Sequence, residues 1–196
     1  MIQLHYNEGE QQELFPLSNN VGQDSQPQEW FPVIDEQGNV VGRATRQHCH
    51  SGSMTLHPVV HLHVLDANGR IYLQKRSMRK DIAPGRWDTS VGGHVDYGES
   101  LQAAVVREAR EELGLHIDPK ECRFLFQYIW QSSRERELVT AFALTTEAEP
   151  QPDHDEVDEG RYFTIEQLQS YVGQGFYTSQ FEQQELPRLI EAIQQG

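Results

Sequence analysis

From Gly93 to Leu115 the chain reads GHVDYGESLQAAVVREAREELGL, and this stretch restricts the available folds more than any other. Leu101, Val105, Ala109 and Leu113 recur at helical spacing, and the small Ala103 and Ala104 suit a helix packed closely on a sheet. Ser100 is positioned to cap that helix at its start, and Gly114 to end it in a left-handed turn. At about 100° per residue, Glu108, Glu111 and Glu112 fall within roughly a 100° arc of its surface. Like charges at these spacings cost about 0.2–0.5 kcal/mol per pair, so a helix that crowds them gains from a bound cation. Hard carboxylate oxygens suit Mg²⁺ or Mn²⁺, ions that also bind phosphate oxygens. A bare Glu-Glu flanked by Arg107 and Arg110 reads as an ordinary solvated face. The glycines at both ends and Glu99 in the preceding loop turn the reading towards a metal site.

The order is Gly93, five residues, Glu99, seven residues, Arg107-Glu108, Ala109, one residue, Glu111-Glu112, one residue and Gly114-Leu115. It resembles the Nudix box, with Ala109 smaller than the aliphatic residue usual there. The resemblance implies an α/β architecture over about residues 30–170, a mixed curved β-sheet sandwiched between α-helices. It also implies that Glu108, Glu111, Glu112 and the Gly93 carbonyl bind Mg²⁺ or Mn²⁺, while Glu99 and Arg107 pair to hold the loop on the helix. The catalytic base of that family varies in position. Glu111 is the first candidate, and Glu135 and Glu156 are alternatives that read more readily as plain surface or loop acids. The implied activity is metal-dependent hydrolysis of a nucleoside diphosphate, or of a related diphosphate linked to another moiety. Lys75, Arg76 and Lys80 are the cations best placed in sequence to meet its phosphates, although each also reads as a solvated surface residue.

A second resemblance surrounds the box. GRWDTSVGGHVDYGES is similar to a segment of the isopentenyl-diphosphate isomerase family, with Trp87, Ser90, Val91, Gly93 and His94 matching and Gly92 in the place of that family's catalytic cysteine. His50 and His57, seven residues apart, resemble its paired ligand histidines, and Glu135 and Glu137 its metal-site and catalytic glutamates. This implies a second metal site from His50, His57, His94, Glu135 and Glu137; the alternative is loop and strand histidines that only hydrogen-bond. The intact box favours hydrolysis. Isomerisation, or diphosphate binding without turnover, are the other readings.

With 30 acidic against 16 basic residues the net charge is −14, which disfavours nucleic acid or an anionic membrane as partner. A small-molecule diphosphate must then be met by local cations and metal. Cys49 and Cys122 form neither a disulfide framework nor a zinc site, and the chain shows no export signal or membrane span, so a cytoplasmic location is expected. Residues 1–28 read as a polar extension that Leu4, Tyr6, Leu14, Phe15 and Leu17 pin in part, and residues 29–196 as the Nudix-like domain with a C-terminal helix. The extension and the first hairpin, WFPVID to VVGRATR, are candidates to mediate a homodimer. VVHLHVLD and RIYLQKRS predict a second hairpin around Asn68-Gly69, with Val60, Leu62 and Val64 on one face of its first strand and His61 and His63 on the other. ECRFLFQYIWQSS and ERELVTAFALTTE predict an antiparallel pair in which Phe124, Phe126, Tyr128 and Trp130 share a face. Thr164 predicts a helix cap, and Pro187 a bend or restart in the last helix.

Overall fold

The computed structural model describes residues 1–6, 28–80, 82–153 and 157–195. Residues 7–27, which hold Leu14, Phe15 and Leu17, lie outside that description, as does Glu156. Strands β1 (His5–Tyr6), β2 (Trp30–Ile34) and β3 (Asn39–Thr45) make a small sheet in the order β1-β3-β2, and Ile2 and Leu4 pack beside Ile34, Leu56 and Leu138. A single turn, α1 (Arg46–Cys49), follows with Thr45 as its N-cap.

The main sheet is built from β4 (Leu56–Leu65), β5 (Ile71–Arg76), β6 (Trp87–Asp88), β7 (Val91–His94), β8 (Arg123–Gln131), β9 (Arg136–Thr145) and β10 (Val157–Phe163). Its order is β10-β5-β4-β9-β8, with β6 added to β5 and β7 to β4. Parallel pairing of β4 with β9 mixes the sheet. The α/β architecture read from the sequence is present.

The expected hairpin of β4 and β5 is only half formed. Its turn closes, but the strands pair with each other only at Leu65 and Ile71. Beyond that point β4 takes β7 as its neighbour and β5 takes β6. Buried Ser90 bridges the fork: its Oγ accepts from the Val64 N–H at 2.9 Å and donates to the Tyr72 carbonyl. Splaying the hairpin opens the space in which the polar residues described below meet.

Helix α2 (Leu101–Leu113) lies on one face of the sheet. Ser100 Oγ accepts from the Ala103 N–H, and Gly114 takes the left-handed φ of 63° that a side chain disfavours. Leu101, Val105, Ala109 and Leu113 are buried against Val60, Leu62 and Val64. Each large aliphatic of this set contributes about 1.5–3 kcal/mol by leaving water. A second core on the opposite face joins Ile71, Leu73, Trp87 and Phe163 to α3 (Ile165–Ser170) and α4 (Leu186–Gln195). A π-helical turn, Phe181–Glu185, leads into α4, and Pro187 falls in that helix's first turn. Proline clashes with the carbonyl four residues back in a regular helix, and the wider turn before it relieves that conflict.

In β8 the register shifts between Phe124 and Phe126. Phe124 therefore meets Phe142 on the α2 side, while Phe126 packs with Tyr128 and His63 on the other. The face predicted to carry Phe124, Phe126, Tyr128 and Trp130 together is broken by this bulge, because one extra residue inverts the alternation.

Candidate active site

A cleft of about 830 Å³ opens where the β4–β5 fork meets α2. Its floor is the edge of β4 and β7, with Val59, His61, Gly92, Gly93 and His94 exposed to it. Glu108, Glu111 and Glu112 come from α2, Glu135 and Glu137 from the start of β9, and Thr178, Ser179 and Gln180 from the segment before α4. Arg46, Arg76, Lys80 and Arg134 supply positive charge to the lining.

The α2 carboxylates are not equivalent. Glu108 lies so close over Gly93 that a Cβ on that residue would collide with its carboxyl group, so glycine is required where the helix meets β7. Buried Glu112 accepts from Gln74 Nε2 at 3.1 Å and from the Gly92 N–H at 3.4 Å. Glu111 stands at the rim, half exposed, and accepts from Arg107 at 3.1 Å. Burial raises the Glu108 pKa, and the Arg107 charge and hydrogen bond oppose that rise.

Arg107 ties the loop to the helix. Its Nε and Nη2 donate to the two Glu99 oxygens at 3.1 and 2.9 Å, its Nη1 to Glu108 at 2.7 Å, and its Nη2 also to the His94 carbonyl at 2.8 Å. Glu99 in turn accepts from the Asp96 N–H. Both residues sit where the sequence reading paired them.

A second cluster forms next to this one. One ligand atom each from His50, His57, His94 and Glu137 lies within 4.8 Å of the others. His94 stacks on Phe31 with ring centroids 4.3 Å apart, which fixes its plane. His57 Nδ1 faces the Thr55 carbonyl at 3.0 Å and so carries the proton, leaving Nε2 as a buried lone pair with no hydrogen-bond partner among the described residues. A metal-ligating imidazole has this arrangement, its other nitrogen held by a carbonyl. Glu135 stands 3.8 Å from His50 Nε2 at the cluster's edge. Burial and the nearby Arg46 charge depress the pKa of His50 to about 4, burial chiefly does the same for His57, and both hold His94 well below the usual range. Burial and the neighbouring Glu135 push Glu137 up to about 7. Neutral imidazoles beside carboxylates are a donor set suited to a divalent cation.

Residues 55–181 match the profile of the NUDIX domain. This chain belongs to the Nudix family. An isopentenyl-diphosphate Delta-isomerase of Leifsonia xyli is 33% identical over 152 residues, covering 74% of this chain and 82% of that protein. An uncharacterised Nudix hydrolase of Yersinia pestis is 38% identical over 87 residues, covering 44% of this chain and 47% of the other. Among solved structures, DR0079 from Deinococcus radiodurans superposes with a TM-score of 0.68 at 26% identity, covering 85% of this chain and 98% of that one. The fold and the box therefore identify a Nudix enzyme, a class that uses divalent metals.

Glu108, Glu111, Glu112, Arg76 and Lys80 all reach one cleft, together with His50, His94, Glu135 and Glu137, whereas His57 is fully buried behind that lining. Lys75 does not. The period of two along β5 sends Gln74 and Arg76 inward and turns Lys75 outward, 3.9 Å from Glu159. Among the described residues no helix is long and apolar enough to cross a membrane. Cys49 and Cys122 are both free thiols.

Sequence reasoning missed the group beneath the floor. His61 Nδ1 makes a close contact with Glu185 Oε1, which also accepts from the Tyr128 hydroxyl at 2.8 Å. His63 Nε2 stands 3.3 Å from Glu185 Oε2, misaligned for a full hydrogen bond. The only available signal was the placing of His61 and His63 on the face of β4 away from Val60 and Leu62. Nothing in the polar FEQQELP segment marked Glu185 as buried.

Burial alone would lower the His61 pKa, but the Glu185 charge and hydrogen bond outweigh it and raise the value from 6.5 to about 9. The same pairing outweighs burial in Glu185 and holds its carboxyl well down. A base whose pKa is raised on folding adds stability that is complete below about pH 6.5 and is lost as pH rises through about 9. Glu137, an acid raised to about 7, also favours the folded state at the lower pH. The melting temperature should therefore fall between pH 7 and pH 9 in a calorimetric series. A level or rising trend would contradict the His61–Glu185 ion pair.

Proposed function

We propose that the protein is a divalent-metal-dependent hydrolase that cleaves the diphosphate linkage of a nucleoside diphosphate or a related diphosphate joined to another moiety. One observation carries this reading: the Glu108 carboxyl seated on Gly93 and Glu112 beside Gly92 converge on the floor of a cleft whose lining includes Arg46, Arg76 and Lys80. Glu108, Glu111, Glu112 and the Gly93 carbonyl would hold Mg²⁺ or Mn²⁺. The missing side chain at Gly93 makes room for the Glu108 carboxyl against β7, and Nε2 of His57, unpartnered among the described residues, suits His50, His57, His94 and Glu137 to a further cation. A divalent ion bound there supplies charge neutralisation to phosphate oxygens and lowers the pKa of water.

The protein's own groups supply the rest. Arg107 fixes Glu108 and Glu111 against the loop, so their oxygens keep their positions when a charged substrate arrives. The cations of the lining, Arg46, Arg76 and Lys80, meet the phosphates. Glu111, exposed at the rim, and Glu135, part-buried at the start of β9, are the groups proposed to accept a proton from attacking water. A screen of diphosphate compounds with Mg²⁺ or Mn²⁺, following phosphate or monophosphate release, tests the reading. Release should stop when chelator is in excess, and release that continues under chelation would rule it out.

A second reading, isomerisation of an allylic or homoallylic diphosphate, draws on the histidine cluster and on relatives named for that reaction. Gly92 opposes it. Moving a double bond needs a proton added on one side and removed from the other, and a glycine supplies neither. A Cβ at that position would stand 3.3 Å from His61 Nε2, so the space a cysteine would need is already crowded by an imidazole. No conversion of isopentenyl diphosphate to dimethylallyl diphosphate is expected by NMR with either metal, and conversion by the purified protein would displace the hydrolase reading.

A further inference from the structure

β4 carries His57, Val59, His61 and His63 on the face away from α2, and they meet different surroundings along the strand. His61 retains a small opening to the cleft, whereas His63, one repeat further, has none. Behind both lies Glu185, a fully buried carboxylate that the π-helical turn carries into the core. A π turn re-aims a side chain by one position and is a rare feature that often marks functional sites. An ionised carboxylate at such depth needs a positive partner, and His61, in close contact with it, is in position to be that partner. Nδ1 is therefore engaged with Glu185, and the ring is oriented with its other nitrogen, Nε2, towards Gly92. Any side chain at residue 92 would cover that edge. With glycine there, Nε2 reaches the floor of the cleft, whose lining also includes Asp88, Glu137, Thr178 and Gln180.

We propose that His61 is a substrate-contacting residue that donates its Nε2–H to a non-bridging oxygen of the diphosphate, and that Glu185 is the positioning residue that keeps it turned to that task. The proposal rests on the diphosphate reading above and adds to it a donor on the floor, outside the Nudix box. Its logic is electrostatic: the cleft is crowded with carboxylates, which repel an anionic substrate, and a fixed cation between them offsets this without adding to the exposed surface. An imidazolium held by a buried carboxylate is pre-oriented, so little ordering is needed when substrate binds.

The test uses inorganic pyrophosphate as probe, with Mg²⁺ and the full-length protein. In the wild type, the ¹⁵N ring signals of His61 should move on pyrophosphate addition while those of exposed His116 do not. By calorimetry, His61→Gln should weaken pyrophosphate binding by about tenfold, as expected for a charge-assisted hydrogen bond, and His116→Gln should leave it unchanged. Glu185→Gln should lower the affinity as well and reduce the response of the His61 ring signals, whereas Glu185→Asp should recover part of both. Unmoved His61 signals in the wild type, or wild-type affinity in a folded His61→Gln protein, would overturn the proposal. These readouts measure binding, so a protein that hydrolyses nothing in the screen would refute the hydrolase reading and leave the judgement on His61 to the pyrophosphate data.

Discussion

Glu108→Gln is expected to lower metal-dependent hydrolysis by about two to four orders of magnitude, the scale on which a group that handles charge or protons at the reacting centre contributes. Glutamine has the same length and fills the same space over Gly93, so the substitution isolates the carboxylate charge from the shape of the site. It also places an amide, a weaker acceptor, where Arg107 now donates at 2.7 Å. The Arg107 contacts to Glu99 and His94 remain, and the protein should stay folded. Glu112→Gln should behave similarly for a different reason: Glu112 is buried, and its carboxylate accepts from Gln74 and the Gly92 N–H. Steady-state rates with Mn²⁺ titrated over a wide range, alongside melting curves, check both. A near-native rate in Glu108→Gln at any metal concentration would remove the box from the chemistry.

The parts of this site that were legible in the sequence are local ones. Ser100, the apolar stripe of α2, the glutamate arc and Gly114 lie within one continuous stretch, where helical geometry alone fixes their relation. Glu99 and Arg107 are eight residues apart in that stretch, but Glu99 lies in the loop outside the helix, and their pairing was legible only as what the Nudix resemblance implied. The histidine cluster brings together β4, β7, β9 and the turn after β3, so spacing alone left it undecided and only the resemblance singled it out. Lys75 was chosen for its charge, although the alternation of β5 already held the information that it faces outward. The fork between β4 and β5 was not legible, because a strong Asn-Gly turn signals a hairpin, and it is Ser90, from a later strand, that bridges the parted strands. Glu185 is the extreme case, 124 residues from His61 in sequence and placed by a bulged helical turn with no signature of its own.

Arg107→Ala should cost stability and activity together. Its guanidinium donates to Glu99, Glu108, Glu111 and the His94 carbonyl, joining the loop, the helix and β7 through one planar group. Alanine would leave the Glu99 and Glu108 carboxylates without their cation in a confined space, which costs more than the lost contacts themselves. The Arg107 side chain is 24% exposed, so solvent recovers part of the loss, and roughly 3 kcal/mol is expected, the lower end of the range for breaking a buried pair. For a domain of this size that corresponds to a fall in melting temperature of about 6–12 °C. Arg107→Lys should recover little of it, because an ammonium group lacks the fork needed to engage both Glu99 oxygens while reaching Glu108 and the His94 carbonyl. Calorimetric melting of the two variants beside the wild type decides the matter. If Arg107→Ala melts with the wild type yet has lost turnover, Arg107 serves the substrate directly; if it melts early and the rate falls with it, the residue's work is to hold Glu108 in place.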